Sequence, residues 1–442
     1  MTTLLERRPP TVARATPLRP EFLTGFAPLA GAAVLLTLVV ALAVPSESWQ
    51  GGWAETRDHT HTAAVLLGIP LALAAGSWQG GRERRRGTGD LLETAVRGAL
   101  PRFLASAVPV ALWVAVGHLV AAGCALLATW YCATGDSPYL VVPLTDSLLL
   151  GGAAFAGQVV GRAVAWRLAA PVLATAGYAV LGFLSYDHDD AWSALSPLIG
   201  TSADRVPVWW QPWVSVVWVG GLAAAAVLAL TARRRALALV PLACATAAAV
   251  VLVQSGDPTR ANPVAGRQVC DTSTTPQVCV NARYEKLLPQ IAEALSGLTG
   301  RLRGVEHVPV RFEDRPGRPR ADEAALPMVT PIGRSVVRGK LVDPGQYAWE
   351  AGMALAGRDC DGMEPAVART DAAVEHYLAP NPQEELFDDL AAQGSPADRA
   401  DLKARQRARA RLLGMAEDER RAWLSEYFAT AGDCDRSGVP TL

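Results

Sequence analysis

Long apolar stretches alternate with short polar turns over the first 255 residues of the chain. An α-helix needs about 17–25 mainly apolar residues to cross roughly 30 Å of hydrocarbon. The pattern predicts seven such helices, which we call spans 1 to 7: Phe26–Val44, Thr62–Trp78, Phe103–Tyr131, Leu140–Gly161, Leu168–Tyr186, Trp213–Thr231 and Ala236–Val253. A buried helix of a soluble core would explain one of these stretches, but not seven in succession.

The pattern changes after residue 255, where a polar linker begins. The apolar periodicity that follows predicts helices at Tyr284–Leu302, Gln346–Ala356, Ala366–Tyr377, Pro396–Leu413 and Glu417–Ala429, and β-strands at Val308–Phe312 and Leu326–Ile332. The expected fold is therefore an all-α polytopic membrane bundle over residues 1–255 and a mainly helical α+β domain over residues 256–442.

The charged residues are divided in the same way. Residues 1–255 hold 31 charged side chains, about 12% of that segment, whereas residues 256–442 hold 52, about 28%. The second share is ordinary for a soluble domain and the first is too low for one. The formal net charge of −1 provides no basic field, so nucleic acid is not an expected partner.

The arginines of residues 1–255 predict the orientation of the bundle. If the N-terminus is cytoplasmic and the spans alternate, 15 of the 17 arginines lie inside and only Arg57 and Arg205 lie outside. Basic residues concentrate on the cytoplasmic side of membrane proteins. We therefore expect a multi-pass protein of the cell membrane whose C-terminal domain is extracytoplasmic. If Ala236–Val253 were not a span, that domain would instead be cytoplasmic.

A charged segment between spans 2 and 3 extends from Glu83 to Arg97. Thr88 or Asp90 can cap a helix there. An apolar stripe at helical spacing is formed by Leu91, Leu92, Ala95 and Val96. This pattern predicts an amphipathic helix on the membrane surface. A solvated loop explains the same residues equally well, since basic residues concentrate on the cytoplasmic side of membrane proteins.

This segment resembles the cytoplasmic helix of ABC-2 type permeases, the membrane subunits of one class of ABC exporter. In that family a charged run leads into Gly-Thr, then a Leu-Leu pair, then a turn of small residues, Thr and Pro, all between spans 2 and 3. The matching residues are Glu83 and Arg84–Arg86, Gly87-Thr88, Leu91-Leu92 and Thr94-Ala95-Val96-Arg97. Gly89 replaces a large apolar residue of the family pattern, and Ala95 stands where proline is common.

The resemblance covers about residues 20–231, so it implies a six-helix ABC-2-like core to which span 7 is added. It implies an exporter that works as a homodimer or as a heterodimer with another permease in the lipid bilayer. It also implies contact with a separate ABC-type ATP-binding subunit. The residues implied in that contact are Glu83, Arg84, Gly87, Thr88, Leu91, Leu92, Thr94 and Arg97. The substrate is unidentified: apolar spans suit a lipid, a hydrophobic antibiotic or a peptide.

The chain itself provides no sequence pattern for ATP hydrolysis. It has three lysines, Lys286, Lys340 and Lys403, and none lies in a G-x-x-x-x-G-K-[ST] loop. We also find no H-E-x-x-H or G-x-S-x-G motif. The chain is therefore not expected to be an enzyme, or to hold a cofactor or a metal ion, and ATP hydrolysis is expected in the partner subunit.

Few polar side chains fall inside the predicted spans. His118 lies near the middle of span 3, Asp146 in the outer third of span 4, and Gln158 near its inner end. Ionisable groups within a membrane usually face the bundle interior or a wet cavity. A His118–Asp146 pair would relay protons or bind a polar substrate. We favour an interhelical hydrogen bond for His118 and an interfacial position for Asp146.

Span 4 also carries small residues that predict close helix packing: Gly151, Gly152, Gly157 and Gly161.

Four of the seven cysteines lie in the C-terminal domain. An even number in a domain expected outside the cell predicts two disulfides, and we pair Cys270 with Cys279 and Cys360 with Cys434. The other two connectivities stay open. A zinc site of these four cysteines would lack the usual C-x-x-C pair.

A membrane-anchored sensor or assembly protein is the alternative function. In that case the spans only tether an external domain that binds a ligand or a partner. A membrane-tethered hydrolase is a third possibility, for which the sequence offers no catalytic motif.

Overall fold

The computed structural model describes residues 22–23, 25–87, 98–186, 193–198, 204–257, 259–315, 317–320, 322–330, 335–358, 360, 363–431 and 438–442. Within the first 255 residues it contains α1 (Phe26–Ala43), α2 (Trp53–Gly80), α3 (Arg82–Arg85), α4 (Ala99–Trp130), α5 (Val141–Ala163), α6 (Ala169–Tyr186), α7 (Gln211–Thr231) and α8 (Leu239–Gln254).

Six of the described helices are long and apolar enough to cross a membrane. They are α1, α2, α4, α5, α7 and α8, the last extended by a short turn from Arg235. The predicted span 5 corresponds to α6. This helix is also apolar, but its apolar stretch Ala169–Ser185 is shorter than the six helices named above. The prediction of several apolar helices of membrane-crossing length is therefore confirmed within the described residues, although six helices rather than seven have the full length.

Helix α2 begins at Trp53, nine residues before the predicted start of span 2 at Thr62. The segment before Thr62 is polar, and the sequence placed it in an external loop. In the structure most of its side chains are buried, including those of Arg57 and His61, which are 3% and 4% exposed. The helix continues because surrounding elements cover this polar stretch. A π-helical turn at Ala64–Gly68 separates its polar part from its apolar part.

Helices α2 and α5 run side by side with their backbones in close contact. A Cβ atom added to Gly157 would lie 2.0 Å from the carbonyl oxygen of Leu73, and one added to Gly161 would lie 2.1 Å from that of Ser77. Only glycine permits such an approach, and small residues commonly form such interfaces in membranes. Gly151, by contrast, has no other atom within 4 Å of an added Cβ and takes no part in the contact.

The C-terminal domain combines a small sheet with helices. Its strands are β2 (Thr259–Ala261), β3 (Gln268–Asp271), β4 (Gln277–Asn281), β5 (Arg311–Glu313), β6 (Glu323–Ala325), β7 (Val336–Val337) and β8 (Lys340–Leu341); β1 (Arg205–Pro207) precedes α7. Its helices are α9 (Leu288–Ala294), α10 (Ser296–Arg301), α11 (Pro344–Ala356), α12 (Pro365–Leu378), α13 (Glu384–Gln393), α14 (Pro396–Gly414) and α15 (Glu417–Ala429).

The central sheet has the order β3-β4-β5-β6, with β3 antiparallel to β4 and the other neighbours parallel. The helix predicted over Tyr284–Leu302 is divided into a 3-10 turn, α9 and α10. Pro289 separates the 3-10 turn from α9, because it has no N–H to continue a helix from the preceding turn. The strand predicted at Leu326–Ile332 is also displaced, since β6 ends at Ala325. Leu287, Ile291 and Phe312 are fully buried in the core between sheet and helices.

Cys270 and Cys279 face each other on β3 and β4 and form the predicted disulfide, with their Cα atoms 4.0 Å apart. Cys360 is also disulfide-bonded. Its predicted partner, Cys434, lies outside the described residues, so that pairing stays a prediction.

The C-terminal domain lies against one end of the helical bundle. Tyr284 donates a hydrogen bond from its hydroxyl to Oε1 of Glu55 at 3.3 Å, and Arg338 Nε donates to Oε1 of Gln50 at 3.0 Å. The backbone N–H of Lys286 donates to the carbonyl of Thr134 at 3.1 Å. In addition, β1 pairs with β2. The turns before α2, α5 and α7 and the C-terminal domain therefore share one end of the molecule.

Glu375 on α12 makes the stability of this domain depend on pH. Burial, and then the nearby Asp371 carboxylate, raise the pKa of Glu375 to about 7. Folding therefore favours the protonated acid, and this stabilisation is lost as the pH rises from about 4.5 to 7. We expect Glu375→Gln to be only slightly more stable than the wild type at pH 5, near the start of this range. At pH 8 it should be more stable by about 1–2 kcal/mol, a figure reduced because the side chain is partly exposed. Thermal unfolding of the full chain at both pH values measures this.

The exposed Glu385 on α13 supplies the control. Glu385→Gln should leave the difference between pH 5 and pH 8 as it is in the wild type. An identical pH dependence in Glu375→Gln and the wild type would contradict the assignment.

Candidate functional site

A buried ion pair joins α2 to α5. His61 Nδ1 lies 2.9 Å from Oδ1 and 3.0 Å from Oδ2 of Asp146. Their side chains are only 5% and 2% exposed. His61 lies three residues before the π-helical turn of α2, and Asp146 lies near the start of α5. A charged pair is costly to desolvate in a helical bundle, so its position marks a functional region by default.

His118 on α4 lies next to this pair but does not contact Asp146. Its Nδ1 is 2.9 Å from the hydroxyl of Ser147, which in turn donates to the carbonyl of Pro143 at 2.8 Å. The hydroxyl proton is thus used, so Nδ1 of His118 is assigned as the donor to Ser147. The structure therefore brings His118 to Ser147 and joins Asp146 to His61, and the Asp146 side chain is buried within the protein.

The sequence reasoning missed His61 because it treated residues 53–61 as a loop. A signal was present: Arg57 and His61 are four residues apart and share one face if the helix starts at Trp53. Burial of that face depends on α4, α5 and the C-terminal domain. Those contacts are tertiary and cannot be deduced from local periodicity.

A second polar cluster lies at the opposite end of the bundle. Arg162 at the end of α5 pairs with Glu83 of α3 through Nη2 and Oε1 at 3.0 Å, and Nη2 also donates to the Ser106 hydroxyl of α4 at 3.2 Å. Gln158 donates from Nε2 to the same hydroxyl. Arg84 donates from Nη2 to the carbonyl of Gly161 at 2.9 Å. We call Glu83, Arg84, Ser106, Gln158 and Arg162 the inner cluster.

The inner cluster contains three of the predicted residues, Glu83, Arg84 and Gln158. Gly87, also predicted, ends α3 with φ +63°, a conformation that glycine adopts without strain. The other predicted coupling residues lie outside the described residues: Thr88, Leu91, Leu92, Thr94 and Arg97.

Helix α5 connects the two clusters. Asp146 and Arg162 are 16 positions apart on one continuous helix, which corresponds to about 24 Å at 1.5 Å per residue. The close glycine contacts with α2 hold α5 along this length. A displacement of α3 would therefore reach the His61–Asp146 pair through a rigid element.

In comparisons with protein-family models, with curated proteins and with solved structures, no match to this chain is found.

Proposed function

We propose that this chain is the permease subunit of an ATP-driven exporter of the ABC-2 type, coupled to a separate ATPase through the segment Glu83–Arg97. The observation that carries the proposal is the attachment of α3 to the spans by the inner cluster. Such a segment can transmit force only if it is fixed to the helices that it moves. The Glu83–Arg162 ion pair and the Arg84 hydrogen bond fix it to α5, and Ser106 extends the contact to α4.

The arrangement of charges supports the predicted orientation. Arg84 and Arg162 lie at the end of the bundle opposite to the C-terminal domain. With arginines on the cytoplasmic side, the C-terminal domain would be extracytoplasmic. The N-terminus would then be cytoplasmic, and an ATPase would dock on the face that presents α3.

The C-terminal domain would act together with the bundle, because it is seated on it. The Tyr284–Glu55 hydrogen bond joins it to α2, which also carries His61. On this proposal the domain covers the outer end of the export path. The exported substrate would be amphipathic or hydrophobic, and two permease units would form the path between them.

Association with an ATPase tests the proposal. We expect a protein with Walker motifs to co-purify with the wild-type chain from its native membrane. The double variant Leu91→Asp/Leu92→Asp should lose this partner, because two carboxylates would replace the apolar stripe of the docking helix. Glu83→Ala and Arg162→Ala should keep the ATPase bound but lose the effect of the permease on its rate of ATP hydrolysis.

Arg235→Gln is the matched control, since Arg235 is exposed in the turn before α8. It should behave as the wild type in both assays. If the wild type captures no ATPase, or if the Leu91/Leu92 variant keeps it, the permease proposal is wrong. The tethered-sensor alternative predicts that outcome.

A further inference from the structure

A cavity lies at the end of the bundle opposite to the C-terminal domain, between the ends of α2 and α5 and the start of α6. Its volume is about 50 Å³. This is room for about three to five water molecules, or for the oxygens of one phosphate group. We call it the basic cavity, and its wall includes Ser77, Trp78, Arg84, Arg85, Trp166 and Arg167.

The wall of the basic cavity carries positive charge that no carboxylate in it balances. Among the described residues that line it, Arg84, Arg85 and Arg167 are charged and none is Asp or Glu. Glu83, the acidic residue next to them in the chain, pairs with Arg162 at 3.0 Å. Three like charges around one small space repel each other, so the arrangement favours an anion between them.

Contacts with the helix ends hold two of these arginines in place. Arg84 donates from Nη2 to the carbonyl of Gly161 at 2.9 Å. Arg85 donates from Nη2 to the carbonyl of Trp78, and its guanidinium group lies 4.1 Å from the centre of the Trp78 ring. Because these bonds use Nη2, the other nitrogens of both groups stay available to a ligand. Arg167 makes no hydrogen bond or ion pair with any residue that the structure describes.

Ser77 adds a hydroxyl group to this wall. Its residue is only 3% exposed, and its hydroxyl has no hydrogen-bond partner in the described part of the chain. Buried donors are almost always paired in native proteins. An oxygen of a bound anion would provide the acceptor that this hydroxyl lacks.

The surroundings of the basic cavity indicate that the anion belongs to a lipid. The cavity lies at the ends of α2 and α5, two helices of membrane-crossing length. Trp78 and Trp166 are exposed beside it, as tryptophans commonly are at the level of the headgroups. Leu168 and Val172 next to it are also exposed, and they offer an apolar surface to acyl chains.

We propose that the basic cavity binds the phosphate of an anionic phospholipid headgroup. The planar fork of arginine matches two phosphate oxygens in parallel hydrogen bonds. Basic pockets between membrane helices are sites of this kind. The bound phosphate would remove the repulsion among the three arginines and join the ends of α2, α5 and α6. This inference does not depend on the proposed export function.

The test measures lipid binding to the full chain in detergent by native mass spectrometry. Phosphatidylglycerol is compared with phosphatidylcholine, which has the same phosphate but a choline that neutralises it. The variants are Arg85→Gln, Arg85→Lys and Arg167→Gln. Arg235→Gln is the matched control, because Arg235 is exposed in the turn before α8 and does not line the cavity. Arg84 is kept, since it also belongs to the inner cluster.

We expect the wild type to bind one phosphatidylglycerol at least about tenfold more tightly than phosphatidylcholine. Arg85→Gln and Arg167→Gln should each weaken the binding of phosphatidylglycerol by about fivefold or more. Arg85→Lys should lie between wild type and Arg85→Gln, because lysine keeps the charge without the fork. Arg235→Gln should bind as the wild type does. Since Arg167 has no partner to lose, Arg167→Gln should fold normally and keep the unfolding midpoint of the wild type in lipid-free detergent.

Three results would overturn the proposal. One is equal binding of the two lipids by the wild type. Another is a loss in Arg235→Gln as large as in the cavity variants, which would show that attraction is spread over the whole basic end of the bundle. The third concerns the source of the phosphate. If inorganic phosphate raises the unfolding midpoint of the wild type but not of Arg167→Gln, and phosphatidylglycerol does neither, the site binds a free anion and not a lipid.

Discussion

Replacement of Asp146 with alanine is expected to lower the free energy of unfolding by about 3 kcal/mol. The change leaves His61 buried on α2 with no carboxylate to accept from Nδ1. Removal of one member of a buried ion pair costs about 3–5 kcal/mol, and the lower end applies because histidine can become neutral. Thermal or detergent-induced unfolding of the full chain in defined micelles measures the loss. Ser147→Ala, which removes the hydrogen bonds of the Ser147 hydroxyl to His118 and to the carbonyl of Pro143, should cost about 1 kcal/mol.

A double-mutant cycle separates this pair from its surroundings. Apolar replacement of both partners, as in His61→Leu/Asp146→Leu, is often neutral or stabilising because no buried charge is left. We therefore expect the double variant to be more stable than Asp146→Leu or His61→Leu alone. Additive losses in the double variant would show that His61 and Asp146 contribute separately and that the ion pair is not formed.

The helical part of the fold could be predicted because its signal is local. Apolar stretches of membrane length coincide with α1, α4, α5, α7 and α8, and their ends differ by only a few residues from the predicted ones. The error at α2 is physical in origin. Its first eleven residues are mainly polar, and periodicity cannot show that other helices and the C-terminal domain cover them.

The candidate site shows the same limit. The sequence predicted His118 and Asp146 as polar residues inside the membrane, but it could not choose their partners. Partners are set by the rotation of each helix about its axis. That rotation follows from glycine contacts such as Gly157 with Leu73, which are separated by 84 positions in the sequence. Disulfide pairing was easier for Cys270 and Cys279, since a nine-residue separation suits neighbouring antiparallel strands.

Gly157→Ala is expected to destabilise the bundle by about 3 kcal/mol or to prevent its folding. An added Cβ would lie 2.0 Å from the carbonyl oxygen of Leu73, and the obstacle is backbone, which cannot rotate away. Helices α2 and α5 would have to separate by more than 1 Å, with loss of packing along both. Overpacking of this kind costs about 1–3 kcal/mol even where side chains can adjust. The midpoint of thermal unfolding should fall, and the His61–Asp146 pair should be weakened with it.

Gly151→Ala provides the matched control on the same helix. No atom lies within 4 Å of its added Cβ, so the variant should be neutral or gain up to about 1 kcal/mol from helix propensity. Gly161→Ala should resemble Gly157→Ala, since its Cβ would meet the carbonyl oxygen of Ser77. The two losses should not add, because the helices that one substitution has separated no longer oppose the other. Equal stability of the Gly151 and Gly157 variants would show that α2 and α5 are not in backbone contact. Helix α5 would then not be held by α2, and it could not link the inner cluster rigidly to the His61–Asp146 pair.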